Sequence, residues 1–128
     1  MPPGGRQPCP CCGHQMFSEL WSDEICSVCY WQENPFQLRY PWAEAGPNGG
    51  LSLIEAQGNY RKFGAMEERH RRHVRPPAAD EPLDPGWRPI DLSRDPFEPE
   101  PSSVPMPEDL TSLYWWRPNY WRRTAPTS

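Results

Sequence analysis

Four cysteines in the first 30 residues stand where a tetrahedral metal would need them. Cys9-Pro10-Cys11-Cys12 and Cys26-Ser27-Val28-Cys29 are two C-x2-C units separated by the 13 residues Gly13 to Ile25. A two-residue gap lets a tight turn aim both sulfurs at one ion, and four thiolates suit a structural Zn2+. Gly13 follows the second ligand, where such a turn tends to need a positive φ. Iron or a redox disulfide are the competing readings. A thioredoxin-like dithiol wants a strand-to-helix junction, and the Pro- and Gly-rich residues before Cys9 offer no such strand. We therefore take Cys9, Cys12, Cys26 and Cys29 as ligands of one structural zinc.

Cys11 is the odd thiol. As a ligand in place of Cys12 it would shift the turn by one residue and misplace Gly13, so Cys12 is favoured. Left free beside a metal, Cys11 is a candidate redox thiol, against the plainer reading of a small buried residue. His14 competes as a ligand but reads better as a hairpin residue or a donor behind the ligands. Four thiolates close the coordination sphere, and no Ser/His/acid set or carboxylate pair is visible, so the chain is not expected to be an enzyme.

The elements around these cysteines follow from composition. Of the 19 prolines, 12 lie between Pro76 and Ser128. Residues 1–75 carry eight acidic and eight basic side chains, and residues 76–128 carry nine and five, so the whole net charge of −4 resides in the second part. This balance does not favour phosphate-driven nucleic-acid binding. Three regions result: a flexible N-terminus over 1–8, a metal-binding domain over 9–75, and a proline-rich acidic tail over 76–128, of which residues 78–111 are expected to be extended and solvated. Leu53, Ala56, Tyr60 and Phe63 share a helical face, and Ser52 with Glu55 forms a capping box at its start. A break near Gly64 is expected. Phe17, Leu20, Trp21, Ile25, Tyr30 and Trp31 supply the apolar material around the metal. The predicted fold is small α+β: zinc-ribbon-like β-hairpins, one or two α-helices, and a long, largely irregular C-terminal tail. A domain this small should draw much of its folding free energy from the metal.

Blocks of this sequence resemble the bacterial cysteine-rich CPCC domain family. The blocks are Cys9-Pro10-Cys11-Cys12-Gly13, then Ile25 to Glu33, then Leu51 to Tyr60 and Phe63-Gly64-Ala65, in that order over about residues 7–75. Val74 to Pro77 and Asp84 to Pro89 resemble an extension of some members. The resemblance implies a zinc-binding domain of no established activity. Members often carry an acidic pair after the tryptophan, where this chain has Gln32-Glu33-Asn34.

Two further segments are candidates for recognition. Arg69 to Arg75, with His70 and His73, reads as a solvated basic face; a nucleic-acid-binding ribbon is the alternative function it would support. Leu113 to Arg123 holds five aromatics and three arginines; such a stretch docks on the chain's own core, lies at a membrane surface or engages a partner protein, and for the last Trp115, Trp116, Tyr120 and Trp121 are the candidate residues. The first eight residues hold no apolar run, so a cytoplasmic location without a transmembrane segment is expected. The chain thus reads as a zinc-stapled interaction or adaptor module, with a thiol sensor at Cys11 as the other alternative.

Overall fold

Proline and cysteine keep the regular elements short. In the computed structural model, which describes residues 6–122, strand β1 (Gln7–Pro8) pairs antiparallel with β2 (Gln15–Phe17). Pro8 has no N–H to extend the ladder, and the register is irregular between Gln7 and Pro8. The second cysteine pair lies in a turn closed by a single bridge, Ile25 to Gln32.

A short helix α1 (Pro35–Arg39) follows, which the hydrophobic pattern does not predict. Its signal is local: Asn34 caps it by accepting the Gln37 N–H at 2.9 Å, and Pro35 takes the first position, where no donor is needed. Helix α2 (Leu53–Phe63) starts as expected. Ser52 Oγ accepts the Glu55 N–H at 3.1 Å and the Glu55 carboxylate accepts the Ser52 N–H at 2.9 Å. It ends at Gly64, left-handed at φ 78°, where the expected break falls, and a 3-10 helix (Glu68–His73) succeeds it. Leu53 and Ala56 are fully buried, while Tyr60 packs only partly. These two helices beside one hairpin make the fold small α+β.

Residues 78–111 are not solvated throughout, and the aromatic end of the tail docks on the core, one of the states open to it from its sequence. The tail's backbone is irregular apart from a 3-10 helix (Leu110–Leu113), yet Leu113, Tyr114, Trp115 and Tyr120 are among the most buried residues in the molecule. Prolines remove ladder donors but not apolar area, and five aromatics provide enough of that area to close one core with the metal-binding part. The main chain is satisfied piecemeal. Residues 82–84 run along β2, with the Gln15 N–H on the Pro82 carbonyl at 2.9 Å and the Asp84 N–H on the Gly13 carbonyl at 2.8 Å. Gln57 of α2 staples three parts together: its amide donates to the Pro10 carbonyl at 2.8 Å and its carbonyl accepts the Ile90 N–H at 3.1 Å. The Tyr114 hydroxyl donates to the Pro8 carbonyl at 2.8 Å.

The buried acidic groups of the tail pair with arginines. Glu98 takes Arg39 at 2.7 and 3.0 Å, and also pairs with Arg122; Asp95 takes Arg88 at 2.6 Å; Asp84 takes Arg117 at 2.9 Å. Arg75 grips Glu81 through two nitrogens at 2.7 and 2.8 Å and, with the Ala78 N–H, lowers its carboxyl from the usual 4.5 to about 2. A depressed carboxyl contributes stability that is complete above its ordinary pKa and is lost as pH falls through the folded value. Glu81→Gln should therefore lower stability at neutral pH and narrow its gap to the parent as pH falls from about 4.5 towards 2, measured by denaturant titration at each pH.

Candidate metal centre

Two turns of equal geometry carry the cysteines. In the first, the Cys9 carbonyl accepts the Gly13 N–H at 2.7 Å and the Cys9 N–H reaches the His14 carbonyl at 2.8 Å. In the second, the Cys26 carbonyl accepts the Tyr30 N–H at 2.8 Å and the Cys26 N–H reaches the Trp31 carbonyl at 2.8 Å. The residue after the second cysteine is left-handed in both, Gly13 at φ 84° and Tyr30 at φ 76°. Glycine takes that conformation without strain, as expected at Gly13, whereas tyrosine does not. The Tyr30 ring is held by stacking on His70 at 4.2 Å between centroids.

The turns bring the four sulfurs of Cys9, Cys12, Cys26 and Cys29 within 4.8 Å of one another. Cys9 and Cys29 sulfurs lie 3.5 Å apart, Cys12 and Cys26 sulfurs 3.8 Å apart, and all five cysteines are free of disulfides. Tetrahedral zinc with Zn–S near 2.3 Å separates its sulfurs by about 3.8 Å, so the residues fit such an ion. All four are buried, at most 2% exposed. Burial pushes the Cys9, Cys12 and Cys29 thiols up; at Cys26 burial acts the same way, but hydrogen bonds from Cys12, Cys29 and Cys9 outweigh it and the net shift is down. Four thiolates at this spacing need a cation among them. The Val28 N–H, 3.4 Å from the Cys26 sulfur, supplies a backbone donor to it.

Cys11 stands outside this set of four and is 1% exposed. A sensor thiol needs contact with its oxidant, so burial removes the ground for a redox role there. Titration of the native, metal-loaded protein with a colorimetric thiol reagent should find no fast-reacting cysteine; one rapid equivalent that vanishes in Cys11→Ser would reverse this. His14 is not a ligand: its Nδ1 donates to the Glu81 carbonyl at 2.8 Å, anchoring the strand-like segment beside β2.

Gly13 has a second constraint. A Cβ there would meet the Trp87 ring at 2.4 Å. Trp87 itself lies edge-on to Trp115 and Trp116, with centroids 5.5 and 4.9 Å away, so the tail's aromatic cluster covers the first metal turn. Gly13→Ala combines a strained φ with overpacking and should destabilise the loaded protein by about 2–5 kcal/mol in chemical denaturation.

The aromatic residues expected to meet a partner form this cover instead. Trp115 and Tyr120 are 0 and 1% exposed and Trp116 is 9% exposed, its indole N–H on the Asp84 carboxylate at 2.8 Å. Trp121 is half-buried beneath the guanidinium groups of Arg39 and Arg122, 4.9 and 4.6 Å from its ring. None of the first three can present a side chain to another protein without opening the core. The basic segment is partly neutralised: Arg69 pairs with Glu67 at 3.1 Å and Arg75 with Glu81, which weakens the nucleic-acid alternative.

Sequence reasoning placed Trp21 and Ile25 in the core, but they are 60 and 49% exposed. Trp21 and Asp23 are left-handed, at φ 66° and 58°, which turns the indole outward. Two carboxylates hold that loop. Glu24 accepts the Ser18 N–H at 2.7 Å and the Ser22 hydroxyl at 2.9 Å, while Glu33 accepts the N–H groups of Ser22 and Asp23 at 2.8 and 3.2 Å. Glu33 thus fixes this loop and Asn34 caps α1.

Among the described residues no helix is long and apolar enough to cross a membrane. Neither a curated protein nor a solved structure matches the chain. The family model described as cysteine-rich CPCC matches residues 7–81, more than half of the 128, a span that includes both cysteine turns and α2. The chain belongs to the cysteine-rich CPCC family.

Proposed function

We propose that the four cysteines hold one structural zinc ion and that the chain is a zinc-stapled protein-interaction module of a reducing, cytoplasmic environment. The observation that carries this reading is the set of four buried sulfurs at mutual distances suited to one tetrahedral ion. The two turns then act as the paired knuckles of a zinc-ribbon-like unit. When bound, the metal supplies folding free energy and no chemistry, because four thiolates leave no position for substrate. We assign the chain no catalytic step.

With the C-terminal tryptophans in the core, the recognition surface favoured here is the loop that displays Trp21. Its side chain is the most exposed aromatic among the described residues, on a backbone that holds about 1–3 kcal/mol of strain at a left-handed tryptophan. Protein prepared without added metal should contain one zinc per chain by elemental analysis. Iron with visible charge-transfer bands would overturn the metal assignment. For the interaction, in-cell crosslinking of wild type and Trp21→Asp should give different partner sets at equal zinc content; identical sets would remove this loop as the surface.

A further inference from the structure

Beside the second metal turn lies a cleft of about 280 Å3 whose apolar walls include Ile25, Tyr30 and Met66 and whose polar side is formed by Glu67, Arg69 and His70. It is built on the metal centre: Ile25 precedes Cys26, Tyr30 follows Cys29, and the Met66 N–H donates to the Cys29 carbonyl at 2.7 Å. Two of its polar atoms, Glu67 Oε1 and His70 Nδ1, are shielded from solvent and have no hydrogen-bond partner among the described residues. Such atoms are uncommon in native structures and call for a ligand or water. Glu67 Oε1 has Arg69 Nε at 3.1 Å and His70 Nε2 at 3.8 Å, close in charge but not aligned as hydrogen bonds. Asn48, which also lines the cleft, has nothing left to offer: it accepts the Gln32 N–H at 2.7 Å and donates to the Gln32 carbonyl at 3.1 Å and to Gln37 at 2.9 Å.

The inventory defines the complement. Burial, with Arg69 adding to it, lowers the His70 pKa and favours the neutral ring. With Nε2 turned to the Glu67 carboxylate, the proton belongs on Nε2, which leaves Nδ1 an acceptor. Glu67 Oε1 is an acceptor as well. His70 Nδ1 lacks an N–H donor, and Glu67 Oε1, ion-paired with Arg69, can take one in better alignment. Arg69, whose side chain is 65% exposed, can offer N–H groups to an oxygen arriving beside those donors. Glu67 and Arg69 cancel in charge, so a net-neutral ligand is matched best. The volume, just under the range of drug-sized pockets, admits a fragment with a short aliphatic body against Ile25, Tyr30 and Met66.

We propose that this cleft binds a small net-neutral molecule that places N–H donors next to a carboxylate or carbonyl oxygen on a short apolar body, the chemistry shared by an apolar α-amino acid and a primary carboxamide. The left-handed Tyr30 is then the strained wall of a site, its ring fixed by His70 from the same polar side.

The test uses the zinc-loaded full chain, labelled with 15N, titrated separately with L-leucine and isovaleramide, which carry both halves of the head group. Isovalerate, lacking the donor, and isobutylamine, lacking the acceptor, are the controls. Leucine or isovaleramide should shift the amide signals of Tyr30, Gln32, Met66 and His70, and comparison of the two decides between the amino-acid and carboxamide sources. His70→Phe keeps a ring to stack on Tyr30 and removes both nitrogens; with Glu67→Met it should weaken binding by about tenfold. The proposal fails if neither probe shifts the cleft signals up to its solubility limit, if isovalerate and isobutylamine bind equally well, or if both variants bind like the parent. Zinc content measured on the same samples separates such a failure from failure of the metal assignment.

Discussion

Replacing Cys26 or Cys29 by serine should abolish the cooperative fold, not merely weaken it. Structural zinc in small domains contributes apparent free energies of roughly 10–16 kcal/mol, while a domain of ordinary stability has about 5–15 kcal/mol in total. The two turns and α2 share one buried cluster that includes these sulfurs, and Cys9 and Cys29 are fully buried. Losing one thiolate leaves three at close range with an incomplete ion. Strong chelation should have the same consequence, recorded as loss of near-ultraviolet circular dichroism from the buried tryptophans and recovered on adding back zinc. Cys11→Ser is the matched control: it removes a buried thiol outside the ligand set and should keep one metal per chain. A metal-free protein that melts cooperatively near the temperature of the loaded form would refute the central role given to the site.

The second large effect lies far from the cysteines in sequence. Trp115→Ala should cost about 3–5 kcal/mol, as truncation of a fully buried large side chain does. Trp115 is 0% exposed, packs edge-on against Trp87 and Trp116, and donates its indole N–H to the Arg88 carbonyl at 3.1 Å. Through Trp87 this loss reaches Gly13 and the first metal turn. Urea denaturation of the zinc-loaded variant measures it, and a parallel assay of metal transfer to a chromogenic chelator should show faster release than in the parent. A chain ending at residue 81, where the family match stops, should show the same defect more severely, because it lacks the aromatic cover. Equal stability of Trp115→Ala and parent would return the tail to the solvated state that its composition advertises.

Which features were legible in the sequence follows from the distance over which each is determined. Each C-x2-C turn, the left-handed Gly13, the Ser52–Glu55 capping box and the stop at Gly64 are settled by residues within four positions of one another, and all appear in the structure. Helix α1 also had a local signature, Asn34 before Pro35, that its length of five residues kept below the reach of periodicity. Residues 78–111 read as solvated because proline content and acidity describe what a segment does alone. They say nothing of Glu98 meeting Arg39, 59 residues away, or Asp84 meeting Arg117. Trp21 and Ile25 were assigned to the core on residue type, and two left-handed residues reverse that assignment for the indole. The cleft at His70 had no signature in the sequence, since it needs the second metal turn, the turn at residues 47–49 and the 3-10 helix in place together.

The hydrogen bond from Tyr114 to the Pro8 carbonyl, next to the first ligand, joins residues 106 positions apart. A ribosome delivers chain in one direction at about 5–20 residues per second, so the four thiols emerge seconds before the aromatic cluster that covers them. An ion held by these thiols would enter while the site is still open, and arrival of the aromatic cluster would then cover it. Any later exchange of the ion would have to begin by lifting that cover away.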